Sequence, residues 1–394
     1  MYREITDKTL FARNDALAFN DPIAQTLRWV DSPSMGPIRG VYGGGELVAQ
    51  CVLFPLTLQT GEGSATAGGL GSVSVPPEHR GRGHLRTLLR GVAEELAADG
   101  RAWALLYPFD AAVYHRFGWA SAVERKRYSG PPSLLAGFRA APGRWRRVGD
   151  EAIADLDAVY RGAFRHRFGP LVRDERWWRH FALRPEFSSA ERIAYCWYGP
   201  DGAPRAYLIY EVEGDGHTGR KLVCREIGAL DAEARSQIFA LLGSFAGQIA
   251  SVEFPAPPDA PVNLLLPRPL RCEVEPYHMA RILDVALALD GYRCPREASG
   301  RLTLAVRDEW LAHNQGTFTI EAAGGALRCS RLEAAVATDA DLACDVGALA
   351  QIASRILRPR TAASFGLLEA RSRAALMLAE RVFAGLTPYS VDFF

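Results

Sequence analysis

Lysine is nearly absent: of the 46 basic residues only Lys8, Lys126 and Lys221 are lysines, and the rest are arginine. Acidic residues number 45 and the net charge is +1, so the strong positive field of a nucleic-acid-binding surface is missing. Cysteine is sparse and scattered. The seven are odd in number and never spaced C-x-x-C, which excludes a disulfide framework and a zinc ribbon and leaves no metal site to expect. No run of about 18 apolar residues occurs, and the opening MYREITDKTLFAR carries charges where a signal peptide needs an apolar stretch. The expectation is a cytoplasmic protein with no membrane and no nucleic acid as partner. Two phosphate-binding signatures are missing as well. There is no G-x-x-x-x-G-K-[ST], and Gly81-x-Gly83 lacks the third glycine of a dinucleotide fingerprint, with Arg86 in its place.

What is present fits two or three domains in 394 residues. Apolar spacing predicts a helix over 6–19 with Leu10, Phe11, Leu17 and Ala18 inward, closed by Asp21-Pro22, and a second helix over IAQTLRWV. A hairpin turns at Gly43 to Gly45, and GGLGSVSV is the next strand. From His84 to Leu96 the residues Leu85, Leu88, Leu89, Val92 and Leu96 recur every three or four positions, the mark of one buried helix face; RAWALLYPF is then a strand. After residues 129–132 (SGPP) the same order of elements returns, but the equivalent loop GALDAEARSQ has lost its basic and glycine residues. Beyond about Tyr277 a helix is predicted in MARILDVALAL, then strands and two helices, an α+β arrangement.

The segment SVSVPPEHRGRGHLRTLLRG, residues 72–91, connects a strand to a helix through a basic glycine loop. A helix start offers N–H groups without internal partners and the positive end of the dipole. Gly81 and Gly83 let backbone approach a ligand, and Arg80, Arg82 and Arg86 add charge. The loop reads as an anion cradle or, on its composition alone, as a tight turn with solvated arginines.

VSVPPEHRGRGHLRTLL resembles the pyrophosphate-binding motif of the GCN5-related N-acetyltransferases (GNAT), in which Arg/Gln-x-x-Gly-x-Gly/Ala follows a Val-x-Val strand; Arg80 and Gly83 match and Leu85 departs. The whole chain is similar to the enhanced intracellular survival (Eis) acetyltransferases, most specifically in HRGRG, YHRFGW, DERWW and the terminal DFF. The resemblance implies two tandem GNAT-type mixed α/β units (1–130 and a degenerate 131–278), followed by a sterol-carrier-protein-2-like α+β domain (279–394) that delivers the tail. It implies acetyl-CoA as cofactor, held by Val73, Ser74 and Val75 along the pantetheine arm, by Gly81, Arg82, Gly83, His84, Leu85 and Arg86 with Arg80 around the pyrophosphate, and by Phe109 and Asp110. It also implies a homo-oligomer, hexameric in some relatives.

Acetyl transfer to an amine needs a free lone pair, a stabilised oxyanion and a proton for the thiolate. The resemblance gives the proton to Tyr114 and the acceptor role to the terminal carboxylate of Phe394. A phenol is protonated at neutral pH, and burial among aromatics raises a carboxylate that is otherwise too weak a base. Asp392 is a candidate to attract a cation or to act as base; Asp15, Asp21 and Asp31 with Trp29 are candidates to line an amine pocket or are ordinary caps and turns. His79, His84 and His115 are nearby titratable groups without a paired carboxylate at helical spacing. No cysteine accompanies the loop, so direct transfer to a small cationic amine, aminoglycoside-like, or to a lysine side chain is expected. The alternative is a non-catalytic carrier that binds lipid or CoA.

Overall fold

The computed structural model describes residues 1–188, 190–214, 219–332 and 340–394. The N-terminal unit runs β1 (Tyr2–Glu4), α1 (Lys8–Phe19), α2 (Ile23–Val30), β2 (Ile38–Gly43), β3 (Glu46–Thr60), β4 (Ser64–Ser74), α3 (His84–Ala98), β5 (Trp103–Leu106), α4 (Ala111–His115) and β6 (Ala120–Gly130). The second unit follows with β7 (Arg144–Val148), α5 (Ile153–Phe164), β8 (Phe168–Leu171), α6 (Glu175–Trp177), β9 (Ile193–Tyr198), β10 (Pro204–Glu213), β11 (Lys221–Ala229), α7 (Ala232–Ser244), β12 (Ser251–Ala256) and β13 (Arg271–Ile282). The last unit comprises α8 (Val285–Leu289), β14 (Gly300–Arg307), β15 (Gly316–Ala323), β16 (Ala326–Arg331), β17 (Leu342–Asp345), α9 (Val346–Ser354), α10 (Pro359–Ser364), β18 (Leu368–Ala370) and α11 (Arg373–Val382).

The first two units share one sheet, ordered β1-β2-β3-β4-β5-β13-β6-β12-β11-β10-β9-β7, while β14 to β18 form a separate five-stranded sheet. Strand β13 is inserted between β5 and β6, pairing Met279 with Leu106 and Ala280 with Ala120. The boundary expected between 278 and 279 therefore falls inside a strand. The helix predicted in MARILDVALAL begins only at Val285, because Met279, Ala280 and Ile282 are buried in the ladder; a continuous apolar run carries no period that separates a core strand from a core helix. Helix α1 is rotated from the expected face. Phe11, Ala12, Asp15 and Ala16 are buried, while Leu17 is 64% exposed. An acid thus sits on the inner face.

Helix α3 lies on the N-terminal sheet through Leu88, Leu89, Val92, Ala93 and Leu96. The C-terminal unit is fastened to β13 by a buried ion pair, Arg281 to Asp308 at 2.8 Å, with Asn314 donating to the Asp308 carboxylate at 3.0 Å. Among the described residues no helix is long and apolar enough to cross a membrane, and no group of three metal-ligating side chains converges.

Candidate active site

Two parallel strands open the cleft. β4 and β5 pair only from Ala67↔Trp103 to Leu70↔Leu106, where β5 ends and β4 continues to Ser74. The β5-facing backbone of residues 71–74 consequently has no strand partner, and an extended ligand can take that place. On the other side the pairing of β4 with β3 shifts register between Val52↔Gly71 and Gln50↔Ser74. The bulge places Ser72 at φ +50°, one of three non-glycine residues in the left-handed region among the described residues. Val73 and Val75 pack their side chains on the core, and the Ser74 hydroxyl is buried without a partner.

After Pro76 the loop turns back, Arg80 Nε donating to the Val75 carbonyl at 3.1 Å. Gly81 and Gly83 have φ of +73° and +82°, and a Cβ at either would meet only open space, so it is backbone conformation that calls for glycine. Gly83 starts α3 with no side-chain cap, leaving the first-turn N–H groups free for an anion. Arg80, Arg82 and Arg86 are exposed around them. Trp310 of the C-terminal unit lies beneath Arg86 and Arg90, 5.9 and 5.1 Å from its ring centroid. His84 opens the helix against the His79 ring, and Leu85 packs on the core. The free backbone edge, uncapped helix and basic rim fit the pantetheine and pyrophosphate of an acyl-CoA. The corresponding helix of the second unit does not: Asp231 caps α7, accepting from Ala234 N–H at 2.8 Å, so a carboxylate occupies the anion position.

Asp110, expected to contact the cofactor, caps α4 by accepting from Ala112 N–H at 2.9 Å. Phe109 is 69% exposed, with its ring 6.0 Å from that of Tyr114. Tyr114 is buried among Leu70, Leu106 and Trp119, and burial, with Cys51 nearby, raises its phenol above the usual range, so it is held protonated. Cys51 lies in β3 beneath the cleft. It is fully buried and its thiol is pushed up by burial, so it is no nucleophile.

The tail is docked along β8. Tyr389 N–H donates to the Phe168 carbonyl at 2.9 Å, and Gly169, φ +117°, admits the close approach, since a Cβ there would lie 2.9 Å from the Tyr389 carbonyl. Asp392 departs from its expected role. Its carboxylate is wholly buried and accepts from Arg173 Nε at 2.8 Å, Leu171 N–H at 3.0 Å, the Tyr160 hydroxyl at 2.8 Å and the Ser390 hydroxyl at 3.1 Å. With that set of donors it anchors the tail and leaves nothing to offer a substrate or a proton. Arg173 also makes a bidentate pair with Glu226 at 3.0 Å.

Phe394 enters an aromatic box: its ring lies 5.6 Å from Phe54, 6.2 Å from Trp177 and 5.6 Å from His278. Trp177 stacks on Phe181 at 4.2 Å, in the π-helical stretch Trp178–Leu183 that continues α6. Burial holds His278 neutral by lowering it to about 4. The terminal carboxyl lies at the β4 bulge; a Cβ on Gly71 would be 3.6 Å from the Phe394 carboxyl carbon. Phe394, Gly71 and Ser72 line a cavity of about 190 Å³ with Asp15, Asp21, Trp29, Phe19, Phe181 and Phe187. Asp21 and Trp29 are thus brought to the tail, whereas Asp31 pairs with Lys8 at 3.0 Å and lies outside the lining. Phe54, Phe181, Phe187 and His278 carry no sequence signal, because nothing in their local context marks them until the tail lands on them; DERWW was the one visible hint.

Comparison with known proteins agrees with this geometry. Residues 2–122 match an acetyltransferase (GNAT) domain, 169–282 a second acetyltransferase (GNAT) domain, and 285–391 a sterol carrier protein domain. The solved GCN5-related N-acetyltransferase from Anabaena variabilis superposes with a TM-score of 0.89 at 22% identity, covering 100% of both chains, which establishes the fold. The chain belongs to the GNAT superfamily and is an acetyltransferase of tandem GNAT architecture with a sterol-carrier-type domain. Within that class it is similar to the N-acetyltransferase Eis of Mycobacterium tuberculosis (strain ATCC 25177 / H37Ra), 26% identical over 90% of this chain and 87% of that protein. An uncharacterized N-acetyltransferase of Streptomyces griseus is 28% identical over 90% of this chain and 89% of its own.

Two outcomes follow for the tail. Asp392→Ala leaves Arg173 and Tyr160 buried with a lost partner, a cost of about 3–5 kcal/mol; a clear fall in Tm is expected, with faster removal of the last residues by carboxypeptidase. Gly69→Ala places a methyl 2.6 Å from the Phe394 ring. It is expected to abolish most acetyl transfer while the thermal shift produced by acetyl-CoA persists, and unchanged turnover would refute the docked tail.

Proposed function

We propose that the protein transfers the acetyl group of acetyl-CoA to a primary amine by direct attack, with Phe394 and Tyr114 as the groups that move protons. The observation carrying this reading is the terminal carboxyl at the β4 bulge, inside the cavity that also holds Asp21 and Trp29. Val73 and Ser74 offer the pantetheine arm a backbone edge without a strand partner, and Val75, whose carbonyl accepts from Arg80, continues it. Arg80 to Arg86 hold the pyrophosphate, and Asp110 caps the start of α4, the helix that carries Tyr114. Bound acetyl-CoA would supply the activated thioester. The amine nitrogen attacks the carbonyl carbon, the Phe394 carboxylate receives the nitrogen's proton, and Tyr114 donates to the departing sulfur.

The acceptor is a cationic amine. A cavity of about 190 Å³ is smaller than the roughly 300–1,000 Å³ of drug-sized sites, favouring an aliphatic amine or a lysine side chain over a whole aminoglycoside. The neighbouring cavity behind Phe181, Phe187 and Phe393 carries both signs of charge, with Arg125, Arg127, Arg192 and Arg225 beside Glu211, Glu226 and Asp392. The cavity bordering the C-terminal unit sets Arg307, Asp308, Glu309 and Asp345 beside Trp119, Trp310, Val346 and Leu367, and those charged groups weigh against a lipid carrier. A cytoplasmic setting and a homo-oligomer belong to the same reading, the second measurable by light scattering.

Purified protein with acetyl-CoA and a panel of aliphatic amines, lysine peptides and aminoglycosides is expected to release CoA thiol. Adding one glycine after Phe394 moves the carboxylate from the bulge and is expected to lower kcat at least about 100-fold with acetyl-CoA binding intact. Replacing Arg80 and Arg82 together by alanine should instead remove the acetyl-CoA-induced rise in Tm. Silence of the unmodified enzyme with every amine refutes the reading.

A further inference from the structure

Helix α1 turns an aspartate into the interior, and nothing in the proposed mechanism uses it. Asp15 is 3% exposed, its Oδ1 has no hydrogen-bond partner, and it lines the cavity that receives the Phe394 carboxyl. A second buried polar group faces the same space: Trp29 Nε1, on a residue 8% exposed, is also without a partner. An orphaned carboxylate oxygen and an orphaned indole N–H in one small aromatic cavity are groups waiting for a ligand with both donor and acceptor character. An amine passing between its protonated and neutral forms is such a ligand.

We propose that Asp15 is the group that deprotonates the incoming ammonium, acting before the Phe394 carboxylate, which receives the second proton once the nitrogen has attacked. This rests on the acetyl-transfer reading and deepens it. An amine arrives as R–NH3⁺, and its N–H donates to Asp15 Oδ1. One proton passes to the carboxylate and frees the nitrogen lone pair. The N–C bond then forms, the C–S bond breaks, and the proton shed by the nitrogen goes to the Phe394 carboxylate while Tyr114 protonates the sulfur. Asp15 returns its proton to solvent, and the proton on the Phe394 carboxyl restores the Tyr114 phenol, so that one proton is released per turnover. The two carboxylates have distinct tasks because the nitrogen loses two protons at two different stages.

The surroundings set Asp15 for that task. Burial, and next the charge of Asp21, raise its carboxyl to about 7, with the Ser72 hydroxyl pulling partly the other way. The groups facing it are Asp21 from the turn after α1, Gln25, Thr26 and Trp29 from α2, Ser72 from β4 and the terminal carboxylate; no basic side chain lines the cavity. A base that titrates near the working pH is best matched to an ammonium. Ser72, held at φ +50° by the bulge, connects this carboxylate to the strand that receives the thioester.

Asp15→Asn keeps the shape and removes the base. In the full-length enzyme kcat/KM for the best amine is expected to rise through a group titrating near pH 7; the variant is expected to lose that inflection and about 100-fold in rate, and Asp15→Glu to regain part. The acetyl-CoA-induced thermal shift should be equal in all three. Stability supplies a readout independent of turnover. A carboxyl that binds its proton more tightly when folded loses stabilisation as pH rises from about 3.9 through about 7. Asp15→Asn should therefore raise Tm at pH 8 and change it little at pH 4. An active wild type whose pH profile survives the substitution, or a variant melting lower at pH 8, overturns the proposal alone. A wild type that acetylates no amine overturns the acetyl-transfer reading and the proposal with it.

Discussion

The buried guanidinium of Arg173 is the constraint on which the site depends. Burial alone would disfavour its charge, yet Asp392 and Glu226 hold it protonated, well above even its ordinary range. Charges withdrawn from water repay the cost only when they are well paired, and here Arg173 makes a bidentate pair to Glu226 and a third bond to Asp392, whose other oxygen accepts from Tyr160, Leu171 and Ser390. Such an arrangement has one geometry. It specifies where residue 392 sits, and so where the carboxyl two residues later can reach.

From that anchor the remaining contacts are short-range. Phe394 is steered by Phe54, Trp177 and His278, three rings from three different elements, each contributing about 0.5–1.5 kcal/mol beyond its area. Glycine at 69 lets the Phe394 ring lie against β4, where a Cβ would come within 2.6 Å of it, and at Gly71 a Cβ would meet the Phe54 ring at 2.9 Å. The same strand carries the bulge that opens the cleft. The free backbone edge, the tail and the small cavity therefore meet on one short length of β4, and a chain terminus, usually frayed, is held there in one place.

The tandem arrangement assigns unequal tasks to two similar units. The first keeps an uncapped helix start and a basic rim. The second closes its equivalent helix with Asp231 and contributes instead Arg173, the Trp177 to Phe187 wall and β8, on which the tail lies. Sharing one sheet through β13 and β6 makes the two units a single frame, so that a wall from one and a cleft from the other keep register.

Much of this was legible locally. The strand-loop-helix around RGRG, the hairpin at the triple glycine and the face of α3 follow from period and turn chemistry, which depend on near neighbours. YHRFGW and DFF pointed to Tyr114 and Phe394 through resemblance. The inward turn of Asp15, the strand made from MARI and the buried pairing of Asp392 were not legible, because each depends on what packs opposite. The sequence by itself determined the shape of the glycine loop, since backbone freedom at two glycines and the free N–H groups of a helix start belong to adjacent residues. Only the tertiary structure decided which carboxylates are anchors and which face the cavity, because a carboxylate's role is set by donors that arrive from elements more than a hundred residues away.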